Sequence, residues 1–295
     1  MFLILLLAFS LGSPAFSHAE DWGSFVVEDE EEIAPDPRRQ AWALMRRMTD
    51  EQKIYQLFFV CPEDLTGEER VAALKGQNVL ASKPVGGVMI FGQNIENEKQ
   101  LKGLTAALQQ QAKKAGLYPL FIGTDEEGGA VSRAANKLGY PLAPSPQEIG
   151  ETSDEALALK IGREIAAYLT PLGFNICFAP PADTVIDKAQ PGVQTYGQDP
   201  QLVSRMAAAM VQGLRECGVV PCYTHFPGHG AMEGVSLGAL SIRRTLDEMR
   251  VLEWIPYRDA IENDIEMILV SHAFVRAVGD DIPASTSYHV ISGIL

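Results

Sequence analysis

Two stretches of the chain bring together side chains able to move protons or hold a polar ligand. The first is Asp125-Glu126-Glu127-Gly128-Gly129-Ala130-Val131-Ser132-Arg133, three carboxylates and a guanidinium around a pair of glycines. Paired carboxylates can serve as acid and base, or accept hydrogen bonds from a ligand's hydroxyls as charged acceptors. A solvated acidic loop is the plainer alternative. The second is Thr224-His225-Phe226-Pro227-Gly228-His229-Gly230. Pro and Gly hold a sharp loop there, and two imidazoles four residues apart give it polar heads. A structural turn with two satisfied histidines is the alternative. Asp183, in Ala179-Pro180-Pro181-Ala182-Asp183, reads as a loop cap or a brace for a neighbour before it reads as catalytic. His272, in Ser271-His272-Ala273, belongs either to the rim or to a satisfied core.

Each of these stretches follows an apolar run. The runs Gly86–Phe91, Pro119–Thr124, Phe174–Ala179, Gly218–Tyr223 and Met267–Ser271 read as strands buried on both faces. Helical patterns separate them: about 97–115, 153–169 with Ser153 as cap, 200–216, and 245–263 behind a Thr245 capping box. Earlier, helical periodicity runs from Arg38, and a Thr49 capping box opens a short helix with Ile54, Leu57 and Phe58 inward. Ser287 caps a last helix. Alternating strands and helices predict a parallel sheet with right-handed crossovers. No strand ends in a glycine-rich phosphate loop, so a nucleotide-binding open sheet has little support. The expected fold class is α/β, a (β/α)8 barrel incomplete after about five strands, because a full barrel needs about 250 residues. In such a barrel the loops at strand C-terminal ends carry the chemistry.

The whole-chain properties narrow the function. The 295 residues carry a net charge of −14, which argues against nucleic acid and against docking on an anionic membrane. Residues 1–19 read as a signal peptide, with a short apolar run from Phe2 to Leu11 and Ser17-His18-Ala19 as the cleavage signal. That implies a secreted or cell-envelope protein with no membrane insertion after cleavage. Residues 20–37 read as an acidic leader, and 38–295 as the barrel domain. The four cysteines, Cys61, Cys177, Cys217 and Cys222, form no zinc spacing and no disulfide framework. Cys217 and Cys222 flank a helix-to-strand join and can approach each other, but all four read as small buried hydrophobes.

The motifs together resemble a known family. Asp125-Glu126-Glu127-Gly128-Gly129-x-Val131-x-Arg133 is similar to the D-x-E-G-G-x-V-x-R loop of glycoside hydrolase family 3. Phe178-Ala179-Pro180-Pro181-Ala182-Asp183 resembles its F-A-P-x-x-D strand end, and Thr224–Gly230 its K-H-F-P-G-H-G, the form of the β-N-acetylglucosaminidase branch. Asp281-x-Pro283-Ala284 followed by Ser287 resembles the segment before the sixth strand. The resemblance covers residues 50 to 295. It implies a barrel, retaining cleavage of β-linked N-acetylhexosamine from peptidoglycan- or chitin-type sugars, and no metal or other cofactor. Retaining cleavage needs a nucleophile and an acid/base. The family's nucleophile, an Asp just after the sixth strand, falls beyond Leu295, and its acid/base is a His in a D-S-H loop. By the same resemblance Asp125, Arg133 and His225 bind the sugar. The departures are specific. The D-S-H positions read Val235-Ser236-Leu237, Thr224 stands for a lysine, and Gln194 stands for an arginine of the sugar site. Glu233 is a substitute acid on a mobile loop, and His229 a weaker one. A non-catalytic carbohydrate-binding relative is the alternative to a hydrolase.

Overall fold

The structure, a computed structural model, describes residues 6–8, 37–185, 194–230, 232–236 and 239–295, without the side chains of 6–8, 37, 232–236 and 239. The strands are β1 (Leu6–Ala8), β2 (Phe59–Val60), β3 (Gly87–Met89), β4 (Phe121–Thr124), β5 (Glu126–Gly128), β6 (Val131–Ser132), β7 (Ile176–Cys177), β8 (Val220–Phe226), β9 (Met232–Ser236), β10 (Ala239–Ile242), β11 (Met267–Val270) and β12 (Phe274–Val275). The helices are α1 (Pro37–Met45), α2 (Asp50–Tyr55), α3 (Pro62–Thr66), α4 (Glu98–Lys114), α5 (Arg133–Leu138), α6 (Pro146–Thr152), α7 (Glu155–Leu169), α8 (Pro200–Glu216), α9 (Leu246–Val251), α10 (Ile255–Glu262) and α11 (Tyr288–Gly293).

The main sheet runs β1-β11-β8-β7-β4-β3-β2, and all its pairings from β11 to β2 are parallel. It is the curled half-barrel that the alternation of strands and helices predicts. Its concave side holds Phe59, Met89, Ile176, Phe178, Cys222 and Met267. Phe59 and Phe178 meet edge to face, with centroids 5.4 Å apart. Gly123 makes room for them, since a Cβ there would sit 2.7 Å from the Phe178 ring. The convex side is the larger core, in which Ile122, Cys177, Tyr223 and Ile268 face Leu104, Leu108, Ile165, Met206 and Met210 of the helices. Helices α7 and α8 pack backbone to backbone at two glycines. A Cβ on Gly213 would lie 2.8 Å from Arg163 N, and one on Gly162 would lie 3.2 Å from the Gly213 Cα.

Four expectations change. The parallel sheet has six strands, not five: β2 is two residues long, and it follows an apolar run, Leu57-Phe58, that imitates a helix face. For the same reason Ile54 (58% exposed), Leu57 (74%) and Phe58 do not point inward. The chain leaves the helix at Tyr55, and Phe59 takes the inward place. Ser153 does not cap α7; Asp154 does, accepting from Ala156 N and Leu157 N, while Ser153 closes α6 at φ 52°. The predicted helix over 245–263 is broken into α9 and α10 at Leu252 (φ −127°, ψ −88°), just before Pro256, which has no N–H to continue a ladder.

All four cysteines are free thiols; Cys177 and Cys222 are buried, and Cys61 and Cys217 half-buried. Cys222 faces the concave side, whereas Cys217 packs at the end of α8 with its thiol near Arg163 O, so the two do not bridge. Of the expected signal segment, Leu6–Ala8 lies antiparallel to Met267–Leu269; the rest of it, and the acidic leader up to residue 36, fall outside the described residues. Among the described residues no helix is long and apolar enough to cross a membrane.

Candidate active site

Directly after β4 the chain makes a tight hairpin, β5 against β6, with Glu126 opposite Ser132 and Gly128 opposite Val131. The turn needs left-handed backbone at Gly128 (φ 97°) and Gly129 (φ 54°), which glycine adopts at no steric cost. It folds Arg133 back onto Asp125: Arg133 N donates to the Asp125 carbonyl at 3.1 Å, and Arg133 Nε to Asp125 Oδ2 at 3.3 Å. Burial raises the Asp125 carboxyl above its usual range, and Arg133 works against that.

Alternation along a strand sends neighbours to opposite faces. Glu126 turns outward, accepting from Ala134 N at 2.8 Å, Ala135 N at 3.1 Å and Tyr168 OH at 2.9 Å. It therefore caps α5 and pins α7, and takes no part in chemistry at the rim. Glu127 turns inward, where Asp125, Asp183, Arg133 and His225 are close enough for their charges to act on it. It is 5% exposed, and no hydrogen bond to it is found among the described residues. Burial first, then Asp125 and Asp183, push its carboxyl up to about 8, against His225 and Arg133.

Strand β8 delivers the imidazoles. Asp183, 1% exposed, holds both ends of the second motif: its Oδ2 accepts from His225 Nδ1 at 3.0 Å and its Oδ1 from His229 N at 2.6 Å. Asp183 is thus the brace the sequence suggests. The pairing assigns the proton to His225 Nδ1 and leaves Nε2 free for a ligand. Burial works against the charged form of His225, but Asp183, Glu127 and Asp125 outweigh it and raise its basicity. His229 stacks on His225 with centroids 4.2 Å apart and planes 7° apart. Burial, then the charge of His225, push it down to about 4, so it is neutral at neutral pH.

Asp183, His225 and His229 place ligand-type atoms within 4.8 Å of one another. A shared metal needs lone pairs that converge on one point. Rings only 7° from parallel direct theirs side by side, and both Asp183 oxygens already accept hydrogen bonds. The arrangement suits a carboxylate-braced imidazole and does not suit a metal centre.

The remaining candidates separate. Thr224 is 1% exposed, and its Oγ1 has no partner among the described residues. Gln194 reaches the hairpin, donating from Nε2 to Gly128 O at 2.7 Å. Glu233 lies in β9, paired in register with Ser241 of β10, so it is on a strand and not on a mobile loop. The pairing follows from a hairpin whose second strand lies parallel to Phe274–Val275. The Glu233 and Val235 side chains, and Leu237 altogether, lie outside the described residues. His272 is an exposed rim residue whose Nδ1 bonds to the buried Ser285 hydroxyl.

The D-x-E-G-G motif already sets Glu127 apart from Glu126, in keeping with their opposite faces on β5. One residue escapes a reading by motif: Glu253, fully buried beneath the loop, with Arg244 Nε 2.6 Å from its Oε1. A Cβ on Gly228 would lie 2.7 Å from the Glu253 side chain, so Gly228 is where the loop rests on it. Burial pushes Glu253 up to about 7, with Arg244 opposing. Beside Arg133 opens a cavity of about 340 Å³ lined by Phe91, Gln93, Ser132, Asn136 and Lys137.

Residues 49–295 match the family model described as the glycosyl hydrolase family 3 N terminal domain. A curated relative, the beta-hexosaminidase LpqI of Mycobacterium tuberculosis, is 32% identical over 222 residues, 73% of this chain and 54% of that protein. The beta-hexosaminidase of Tolumonas auensis is 30% identical over 236 residues, 79% of this chain and 66% of that protein. Among solved structures, a family 3 beta-N-acetylglucosaminidase from Paenibacillus sp. superposes with TM-score 0.75 at 31% identity, covering 84% of this chain and 46% of that one. NagZ from Neisseria gonorrhoeae, in complex with N-trifluoroacetyl-D-glucosamine, superposes with TM-score 0.68 at 27% identity, covering 80% and 69%. The chain thus spans little more than half the length of the LpqI relative. With these matches laid over the strand-end motifs, the chain belongs to glycoside hydrolase family 3, as a member of its N-terminal domain family.

Proposed function

We propose that this domain holds the terminal sugar of a β-linked hexosaminide for retaining hydrolysis, with N-acetylhexosamine ends of peptidoglycan- or chitin-type glycans as the substrate class. The observation that carries this reading is the nearness of two strand-end pairs, Asp125 with Arg133 and Asp183 with His225, close enough for the charge of His225 to act on Asp125. Charged acceptors and a fixed imidazole suit sugar hydroxyls, since hydrogen bonds to ionised groups are about twice as strong as neutral ones. Asp125 and Arg133 bind hydroxyls from one side, and His225 Nε2 from the other. The relatives named as beta-hexosaminidases support the sugar class.

A second reading, a carbohydrate-binding relative without turnover, is favoured by one observation. Val235 and Leu237 stand where the family resemblance puts the acid/base dyad, and neither transfers a proton. A general acid contributes about 10²–10⁴-fold, so its loss leaves binding without useful rate. Calorimetry with N-acetylglucosamine alongside turnover of a chromogenic β-N-acetylglucosaminide separates the two. Binding with turnover supports the hydrolase, binding without turnover supports the second reading, and neither binding nor turnover overturns both.

A further inference from the structure

We propose that Glu253 is a positioning residue for the candidate site: it clamps both ends of the segment between β8 and α9 and thereby holds His225 and His229 against Asp183. The clamp is argued from contacts within the fold, and only its sugar test rests on the hexosaminide reading. Glu253 lies in the joint between α9 and α10, and none of it is exposed. Two contacts meet on it. At the outgoing end of the segment, Gly228 comes so close that a Cβ there would lie 2.7 Å from both Cβ and Cγ of Glu253. At the returning end, Arg244 stands between β10 and α9 and brings its Nε within 2.6 Å of Glu253 Oε1. The histidine loop and the β9–β10 hairpin therefore start and finish on one side chain.

The neighbours of Glu253 extend the hold. Phe226 lies against Trp254, with centroids 6.4 Å apart and planes 26° apart, and meets Tyr257 of α10 edge to face at 5.2 Å. Phe226 follows His225 and Gly228 precedes His229, so each imidazole sits one residue outside a supported position. The turn between them closes with Gly228 N donating to His225 O at 2.8 Å. Packing alone does not explain a charge in this place. An apolar pair of the same volume holds a core as well as a buried ion pair, or better. Neither Arg244 Nε nor either Glu253 oxygen makes an aligned hydrogen bond among the described residues, so the burial of both charges is only partly offset. What the pair adds is a fixed meeting point for two chain segments. The other charges that act on Glu253 are those of Asp183 and Glu248, which Arg244 opposes.

The test is NMR titration of the histidine rings in the full chain, beside calorimetry with N-acetylglucosamine. In the parent, His229 titrates at about 4, held down first by burial and then by the charge of His225. Glu253→Gln releases the loop, and the His229 midpoint is expected to rise by about one pH unit or more toward the ordinary imidazole value of about 6.5. Removing a negative charge lowers the basicity of a nearby imidazole, so a rise reports movement of the loop and not the lost charge. Sugar affinity falls about tenfold, the size of one hydrogen bond to a charged group. Arg244→Gln shows the same rise. The double variant, which leaves no charge of the pair buried alone, rises by less than the sum of the two and decides the matter where Glu253→Gln does not fold. A His229 midpoint unchanged in the folded variants overturns the proposal, whatever stability they have lost, and so does full additivity, which means that the two residues act apart. Failure of the parent to bind the sugar overturns the hexosaminide reading alone, since the His229 midpoint still decides the proposal.

Discussion

Glu126 and Glu127 are the same residue type one position apart, both buried, on opposite faces of β5. The outward carboxyl receives three donors, two from the first turn of α5 and one from Tyr168. The inward one receives none among the described residues, and the charges of His225, Asp125, Asp183 and Arg133 act on it. Burial raises the pKa of both, and what separates them is the supply of hydrogen-bond donors. The outer face of the strand is finished structure. The inner face carries a carboxyl that burial holds toward its protonated form.

The largest test of this contrast removes the group that anchors the inner face. Asp183→Ala strips His225 and the His229 amide of their acceptor at once and is expected to cost about 3–5 kcal/mol in urea denaturation, with loss of sugar binding. Glu126→Ala comes next. It orphans two helix amides and a tyrosine hydroxyl, at about 3 kcal/mol, and should leave the sugar specificity of the surviving folded protein unchanged. A larger loss of specificity than of stability would erase the outer–inner distinction. Glu127→Gln should behave in the opposite sense. The folded pKa of Glu127 lies above its unfolded value, so the native state binds the extra proton between about pH 4.5 and 8, and stability falls as pH rises through that window. The variant lacks this loss and should be more stable than the parent at pH 8 by about 1–2 kcal/mol, and no more stable at pH 5. Denaturation midpoints at the two pH values decide it. The smallest effect is expected from Tyr168→Phe, which removes one of three donors to Glu126, at about 1 kcal/mol.

Much of this was legible in the residues. Runs such as Phe174–Ala179 and Met267–Val270, apolar at every position, identify buried parallel strands because helices cover one face and the barrel interior the other. The Asp125–Arg133 pairing follows from two glycines that return the chain on itself. The strand Phe59–Val60 was not legible, since two residues cannot show a period and the preceding Leu57-Phe58 masks the change from helix to strand. The assignment of Glu126 to a cap was hidden too, because its partner Tyr168 lies 42 residues away. Glu253 shows itself only where Gly228 rests upon it, a contact between distant segments that no local pattern encodes.

Where Gly162 meets Gly213, two α-helices touch with no side chain between them. A joint of that kind has no rotamers to rearrange and tolerates neither sliding nor rolling, so this pair of staves moves as a single bar. Whatever adjustment the rim makes on taking up the proposed sugar must then arise in the loops above. Amide protons along Ala158–Leu169 and Val203–Leu214 should exchange among the slowest in the molecule, bound or free.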